Sequence, residues 1–177
     1  MLKTFFPYKY MISAYAIDYE TLYEEGCRGI IFDIDNTLVP HGAPADDRAI
    51  KLIYRLKEIG YQVLFLSNND EERVKMFNAP MGCRYIYKAG KPLKKGYIEA
   101  VRQMGCSKEN TICVGDQLFT DMWGANKAGI KTFLVMPIDK KEEIQIILKR
   151  IPEKMILLFY KRYCKRNGKE FIYGKIQ

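Results

Sequence analysis

Apolar residues in this chain fall into short runs separated by helical repeats. Gly29-Ile-Ile-Phe-Asp33 and Gln62-Val-Leu-Phe-Leu66 are β-branched or aromatic, and each run gives way to polar residues, as buried strands of a parallel sheet do. Thr111-Ile-Cys-Val-Gly115 and Lys131-Thr-Phe-Leu-Val135 repeat the pattern, and Tyr85 to Tyr87 is a weaker fifth candidate. The segments between them read as helices from their caps and periodicity. Asp46 to Ile59 stops at Gly60, Asp70 to Phe77 follows a polar turn, and Phe119 to Ala128 stops at Gly129. Pro92 to Met104 opens with proline at the first helical position and stops at Gly105. Alternating strands and helices predict βαβ units, hence an α/β fold with a five-stranded parallel sheet.

The chain has 177 residues, which suits one domain. With 48% hydrophobic and 28% charged residues it has material for a core and lacks the composition of a disordered chain. Residues 29–137 carry the repeating pattern, residues 1–28 read as an N-terminal strap, and residues 138–177 as C-terminal helices with a basic tail. The formal charge of +8 is concentrated in that tail: Lys149 to Lys169 holds eight basic residues and one acid, Glu153. The five cysteines contain no C-x-x-C pair, so neither a disulfide framework nor a zinc knuckle is expected, and a cytoplasmic location is. No apolar run approaches the roughly 20 residues of a helical membrane span.

The residues that follow the strands carry the chemistry, because open parallel sheets bind ligands at their carboxyl edge. The Gly29 run leads into Asp33-Ile-Asp35-Asn-Thr37, the Gln62 run into Ser67-Asn68-Asn69, the weak Tyr85 to Tyr87 run into Gly90-Lys91-Pro92 and the Thr111 run into Gly115-Asp116-x4-Asp121. Four carboxylates, a hydroxyl and one ammonium are thus expected on one edge. Each close carboxylate pair costs about 4 kcal/mol at 4 Å in an effective dielectric near 20, so a counter-charge beyond Lys91 is required. Hard oxygen donors without His or Cys favour Mg²⁺, and with it phosphoryl chemistry. His41 is read as an exposed loop imidazole, Phe119 and Trp123 as core, and the cysteines as unreactive.

This ordered set resembles the four motifs of the haloacid dehalogenase (HAD) superfamily of phosphohydrolases, over roughly residues 29–135. The resemblance implies a three-layer Rossmann-like fold. It also implies that Asp33 is the nucleophile, Asp35 the acid/base and, through its backbone carbonyl, a metal ligand, and Lys91 the offset to phosphoryl charge. Ser67 and the amide of Asn68 would bind phosphate oxygens, Thr37 would brace the nucleophile loop, and Asp116 and Asp121 would hold Mg²⁺ with Asp33. More narrowly, the Asp33-Ile-Asp-Asn-Thr-Leu-Val39 and Gly115-Asp-Gln-Leu-Phe-Thr-Asp121 runs, with Gly26-Cys-Arg-Gly-Ile before them, resemble the bacterial YqeG-type phosphatases of HAD subfamily IIIA. Those are similar to phosphatidylglycerophosphate phosphatases.

Only 33 residues separate Asp33 from Ser67 and 23 separate Ser67 from Lys91, which leaves no room for a cap domain and predicts an open site. An open site suits a large or surface-presented phosphate, with phosphatidylglycerophosphate the leading expectation. Sugar, nucleotide and polynucleotide-end phosphates remain open, as does a non-catalytic module that binds ribosomes or membranes; nucleic acid is the less expected partner. Taken as a helix, residues 151–166 place Ile156, Leu157, Phe159, Tyr160, Tyr163 and Cys164 on one face and Lys154, Lys161, Arg162, Lys165 and Arg166 on the other. The first face could meet an anionic membrane, or the helix could pack on the domain with its charges in water.

Overall fold

The structure is a computed structural model that describes residues 2–139 and 144–174, with side chains left undescribed between 144 and 151. Its strands are β1 (Lys9–Met11), β2 (Gly29–Phe32), β3 (Gln62–Leu66), β4 (Arg84–Ile86), β5 (Thr111–Gly115) and β6 (Lys131–Val135). Its helices are α1 (Tyr19–Glu24), α2 (Asp47–Ile59), α3 (Glu71–Asn78), α4 (Lys94–Met104), α5 (Trp123–Ala128) and α6 (Ile144–Arg166). All six strands are parallel, in the order β1-β6-β5-β2-β3-β4. The sheet therefore has six strands where five were expected. The sixth comes from the N-terminal segment, where Lys9, Tyr10 and Met11 pair with Phe133, Leu134 and Val135 at the sheet's edge.

Successive side chains of a strand face opposite ways, and that period of two builds three layers. Ile30, Phe32, Val63, Phe65, Ile112, Val114 and Phe133 turn to one face, where α1, α2 and α3 cover them. Ile31, Leu64, Leu66 and Cys113 turn to the other, against Tyr97, Ala100 and Met104 of α4 and Ala125 of α5. Beyond them, Tyr10 and Leu134 meet α6 through Ile156, Tyr160 and Cys164. Helix α2 shows how local sequence agrees with this. Asp46 caps it by accepting from the Ala49 N–H at 2.7 Å, its buried residues Ala49, Leu52, Ile53 and Leu56 recur at helical spacing, and Gly60 ends it at φ 111°.

Three boundaries differ from expectation. Helix α4 begins at Lys94 instead of Pro92, because Pro92 lies within a turn closed by Leu93 N–H donating to the Gly90 carbonyl at 2.9 Å. The fourth helical segment opens as a π-helical turn, Leu118–Met122, before α5. Helix α6 starts seven residues before Ile151, so Pro152 lies inside it; the added residues are mostly good helix formers. Lys149, Arg150 and Ile151 of the tail have side chains outside the described residues.

The packing of α6 also corrects its expected lipid-facing side. Ile156, Tyr160 and Cys164 are buried against the body, with Leu157 and Tyr163 half-buried, while Phe159 points to solvent. Phe6 from the N-terminal segment packs edge-on against Tyr160 at 5.4 Å and tilted against Tyr163 at 5.5 Å between ring centroids. Tyr160→Ala should therefore cost about 3 kcal/mol or more, as truncation of a buried aromatic does. At about 2–4 °C per kcal/mol for a chain of this size, that is a fall of at least about 6 °C in melting temperature. A thermal melt superimposed on that of the unaltered protein would show that α6 does not pack as described.

Candidate active site

The register of the sheet sets the site. Phe32 lies opposite both Phe65 and Val114, so the residues that leave β2, β3 and β5 emerge side by side at the carboxyl edge. After β2 the chain builds outward to β3 and β4, then returns to β5 on the other flank. The gap between the β2 and β5 ends is thus a topological switch point, where open α/β sheets bind ligands.

Asp33 follows β2, its N–H donating to the Val114 carbonyl at 3.0 Å. The chain then turns through Asn36 at φ 60°, a left-handed conformation that asparagine tolerates. Asp116 follows β5 directly. Asp121 is carried back toward β5 by the π-helical turn, where its Oδ2 accepts from the Gln117 N–H at 3.1 Å. Tyr97 of α4 supports that turn by donating its hydroxyl to the Thr120 carbonyl at 2.9 Å. Gly115 admits the Asp121 side chain, since a Cβ there would lie 2.5 Å from the Asp121 carboxyl carbon. Leu118 N–H donates to Oε1 of Glu153, which reaches in from α6 at 2.8 Å.

These elements bring Asp33, Asp116 and Asp121 together, all buried, with one oxygen from each lying within 4.8 Å of the others. Lys91 sits among them, also buried, with its Nζ 2.5 Å from Asp33 and 2.7 Å from Asp121. Burial opposes the charge on Lys91, but Asp121 and Asp33 outweigh it and hold the ammonium above its ordinary range. The Asp33 carboxyl is pushed up to about 7, chiefly by burial; Lys91 opposes this, while Asp121 and, less strongly, Asp35 add to it. Three carboxylates against one ammonium leave excess negative charge, and an all-oxygen set of this kind fits a hard divalent ion such as Mg²⁺.

Asp35 stands apart from that group. Its Oδ1 accepts from Nη2 of Arg73 at 2.8 Å and from the Gly42 N–H at 2.7 Å, and its Oδ2 accepts from Nδ2 of Asn69. The four-carboxylate cluster expected from sequence is therefore a cluster of three, with Asp35 held from α3. Thr37 donates its hydroxyl toward Asp116 at 3.4 Å, joining the loops after β2 and β5. Ser67 is buried, and its hydroxyl accepts from Asn69 N–H at 3.1 Å. Asn68 uses its side chain on the Lys91 backbone, accepting from its N–H at 2.8 Å and donating to its carbonyl at 3.2 Å. A cleft of about 190 Å³ opens over Asp33, Asp35, Ser67 and Lys91, with exposed His41 and half-buried Gln117 and Thr120 at its walls. Phe119 and Trp123 are half-buried against Phe5, away from the cleft. The five cysteines are free, four of them buried, and burial raises the thiols of Cys27, Cys83, Cys106 and Cys113.

Comparison with known proteins bears on this arrangement. Residues 42–129 match the family described as haloacid dehalogenase-like hydrolase. The chain is 42% identical over 164 residues to the probable phosphatase YqeG of Bacillus subtilis, covering 92% of this chain and 95% of that one. The chain belongs to the HAD family, in its YqeG-like phosphatase branch. It is also 31% identical over 165 residues to phosphatidylglycerophosphate phosphatase 1, chloroplastic/mitochondrial, of Arabidopsis thaliana, covering 86% of this chain but only 46% of the plant protein. In fold it resembles the cobalt-bound deoxy-D-mannose-octulosonate 8-phosphate phosphatase of Haemophilus influenzae, with a TM-score of 0.52 at 19% identity over 63% of this chain and 69% of that one. The HAD fold is thus shared, here with six strands and, among the described residues, no cap domain between β2 and β5.

Arg73 and Asn69 had no role in the sequence reading. Arg73 lies in a charged run, Asp70-Glu-Glu-Arg, that reads as a solvated helix start, and only the packing of α3 beside the first loop sets it against Asp35.

The raised Asp33 value has a measurable consequence. Its ordinary value is 3.8 and its folded value about 7, so its contribution to stability is complete below the first and is lost as pH rises through the second. In chelator, the protein should melt lower near pH 8 than near pH 5, and Asp33→Asn, which cannot ionise, should flatten that slope. An equally steep slope in the variant would mean that Asp33 is not the strained carboxyl.

Proposed function

We propose that the chain is a Mg²⁺-dependent phosphomonoesterase that works through phospho-Asp33, with phosphatidylglycerophosphate at a membrane surface as its substrate. Residues 29–137 carry the chemistry; of the segments on either side, β1 adds an edge strand to their sheet and the described part of α6 packs on them. The observation that carries the reading is Lys91 bridging Asp33 and Asp121 at the floor of a small cleft. A cleft of about 190 Å³ holds a phosphoryl group and its immediate neighbours, leaving the rest of a larger molecule outside. That suits a headgroup phosphate, and the plant relative's name points the same way.

Asp33, Asp116 and Asp121, with the backbone carbonyl of Asp35, would hold Mg²⁺, which when bound offsets carboxylate and phosphoryl charge. In the first half-reaction an Asp33 oxygen bonds to phosphorus while the bond from phosphorus to the substrate oxygen breaks. Asp35 gives the departing oxygen a proton. In the second, Asp35 takes a proton from water as that water attacks the phosphorus of phospho-Asp33, releasing phosphate and restoring the carboxylate. Lys91 offsets charge on the transferring group, Ser67 and the Asn68 amide receive its oxygens, and Thr37 steadies the loops on either side. Arg73 and Asn69 determine where the Asp35 carboxyl stands when substrate arrives.

Asp33→Asn should abolish phosphate release in Mg²⁺; undiminished release would remove Asp33 as nucleophile. Arg73→Ala should slow hydrolysis of an alkyl phosphate by about tenfold or more, a part of the roughly 10²–10⁴-fold that general acid–base catalysis contributes. First-turnover release of nitrophenol from p-nitrophenyl phosphate, whose leaving group needs no proton, should be spared, while its steady-state rate falls with the Asp35-assisted hydrolysis of phospho-Asp33; a first-turnover loss as large as that on the alkyl phosphate would argue that Arg73 does not act through Asp35. Phosphatidylglycerophosphate should be turned over faster than p-nitrophenyl phosphate, and the reverse order would point to another substrate.

A further inference from the structure

We propose that the outward side of α6 is a docking surface for an anionic lipid bilayer. It is not the side that the sequence pattern singled out. The inward side is occupied by protein: Glu153, Ile156, Tyr160 and Cys164 are all buried, at helical spacing. Opposite them, Met155, Leu158 and Phe159 recur at i, i+3 and i+4 and are 59%, 62% and 44% exposed. At about 100° per residue Arg162 and Arg166 continue that stripe, while Lys154, Lys161 and Lys165 line one border. All five basic residues are exposed. From Pro152 to Lys169 no acid shares the surface, because Glu153 is turned inward on the Leu118 N–H.

Met155 and Leu158 look like flaws when α6 is read as a helix with one apolar side. Once Ile156, Tyr160 and Cys164 are committed to the core, they become part of a second apolar strip set among cations. Charge and apolar surface together select the occupant. A polynucleotide would satisfy the cations but leave Met155, Leu158 and Phe159 in water. A second copy of the chain would set two like-charged stripes against each other. An anionic bilayer takes both, with the apolar side chains below the headgroups and the lysines and arginines among them.

The surface is also well placed. Glu153 fixes α6 to the turn that contributes Gln117 and Thr120 to the cleft wall, and Met155 follows within one helical turn of about 5.4 Å. The inference deepens the lipid-phosphate reading and rests on it for its purpose, but binding can be measured without it.

The test is flotation of the full chain with vesicles of phosphatidylcholine alone or mixed with phosphatidylglycerol. The unaltered protein should float with the mixed vesicles only. Met155→Ser/Leu158→Ser/Phe159→Ser, and separately Lys161→Gln/Arg162→Gln/Lys165→Gln, should each weaken that binding by about tenfold or more. Both variants should keep the melting temperature and the rate on p-nitrophenyl phosphate. Undiminished flotation of the serine variant, equal binding to phosphatidylcholine alone, or displacement from mixed vesicles by RNA would overturn the proposal. So would a dimer in solution that the serine variant abolishes. Protein that binds through α6 but leaves phosphatidylglycerophosphate in those vesicles unhydrolysed would support the surface and refute the substrate. Vesicle hydrolysis that persists at full rate in the serine variant would do the opposite.

Discussion

The structure depends on one electrostatic constraint: among the described residues, three carboxylates are buried at the end of a parallel sheet with a single ammonium among them. Asp33, Asp116 and Asp121 are each at most 9% exposed, so water cannot screen them, and Lys91 balances only part of their charge. Much of the surrounding fold serves to hold that arrangement. The register of β2 against β5 fixes the separation of Asp33 and Asp116. Gly115 and the π-helical turn let Asp121 fold back, Tyr97 supports the turn from α4, and Asn68 anchors the Lys91 backbone. The excess charge is the reason to expect a divalent ion, and a doubly charged phosphate ester is the kind of group that such an ion and Lys91 would receive together.

Much of this was legible along the chain because the controlling patterns are local. Runs such as Ile30-Ile31-Phe32 and Val63-Leu64-Phe65-Leu66 are buried on both faces, so they read as strands without reference to anything distant. Gly60, Gly105 and Gly129 stop helices through their own backbone freedom. The acidic residues were found because each directly follows one of these runs. What was missed depends on contacts between segments far apart in sequence. Strand β1 is three residues in an aromatic stretch, and it becomes a strand only because β6 offers an unpaired edge. Arg73 sits in a run that looks solvated until α3 docks beside the first loop. Glu153 is one acid in a basic tail, and nothing nearby in sequence indicates that it caps a turn beside the cleft.

Helix α6 shows the same limit from another side. Its apolar residues cover more than one arc, and periodicity alone cannot decide which arc the protein buries. Packing against Tyr10, Leu134 and Met122 decides it, and the residues left outside acquire a meaning they lacked in the sequence. The helix also links the N-terminal segment to the catalytic edge, meeting Phe6 through Tyr160 and the π-helical turn through Glu153.

The central proposal, that the underbalanced buried carboxylate cluster binds a divalent cation, is tested most directly by calorimetric titration of Mg²⁺ in buffers of differing ionisation enthalpy. A carboxyl near pKa 7 must lose its proton to become a ligand, so binding at about pH 6 should release close to one proton, and much less at about pH 8. Binding with no proton release at either pH, or no binding at all, would contradict the account.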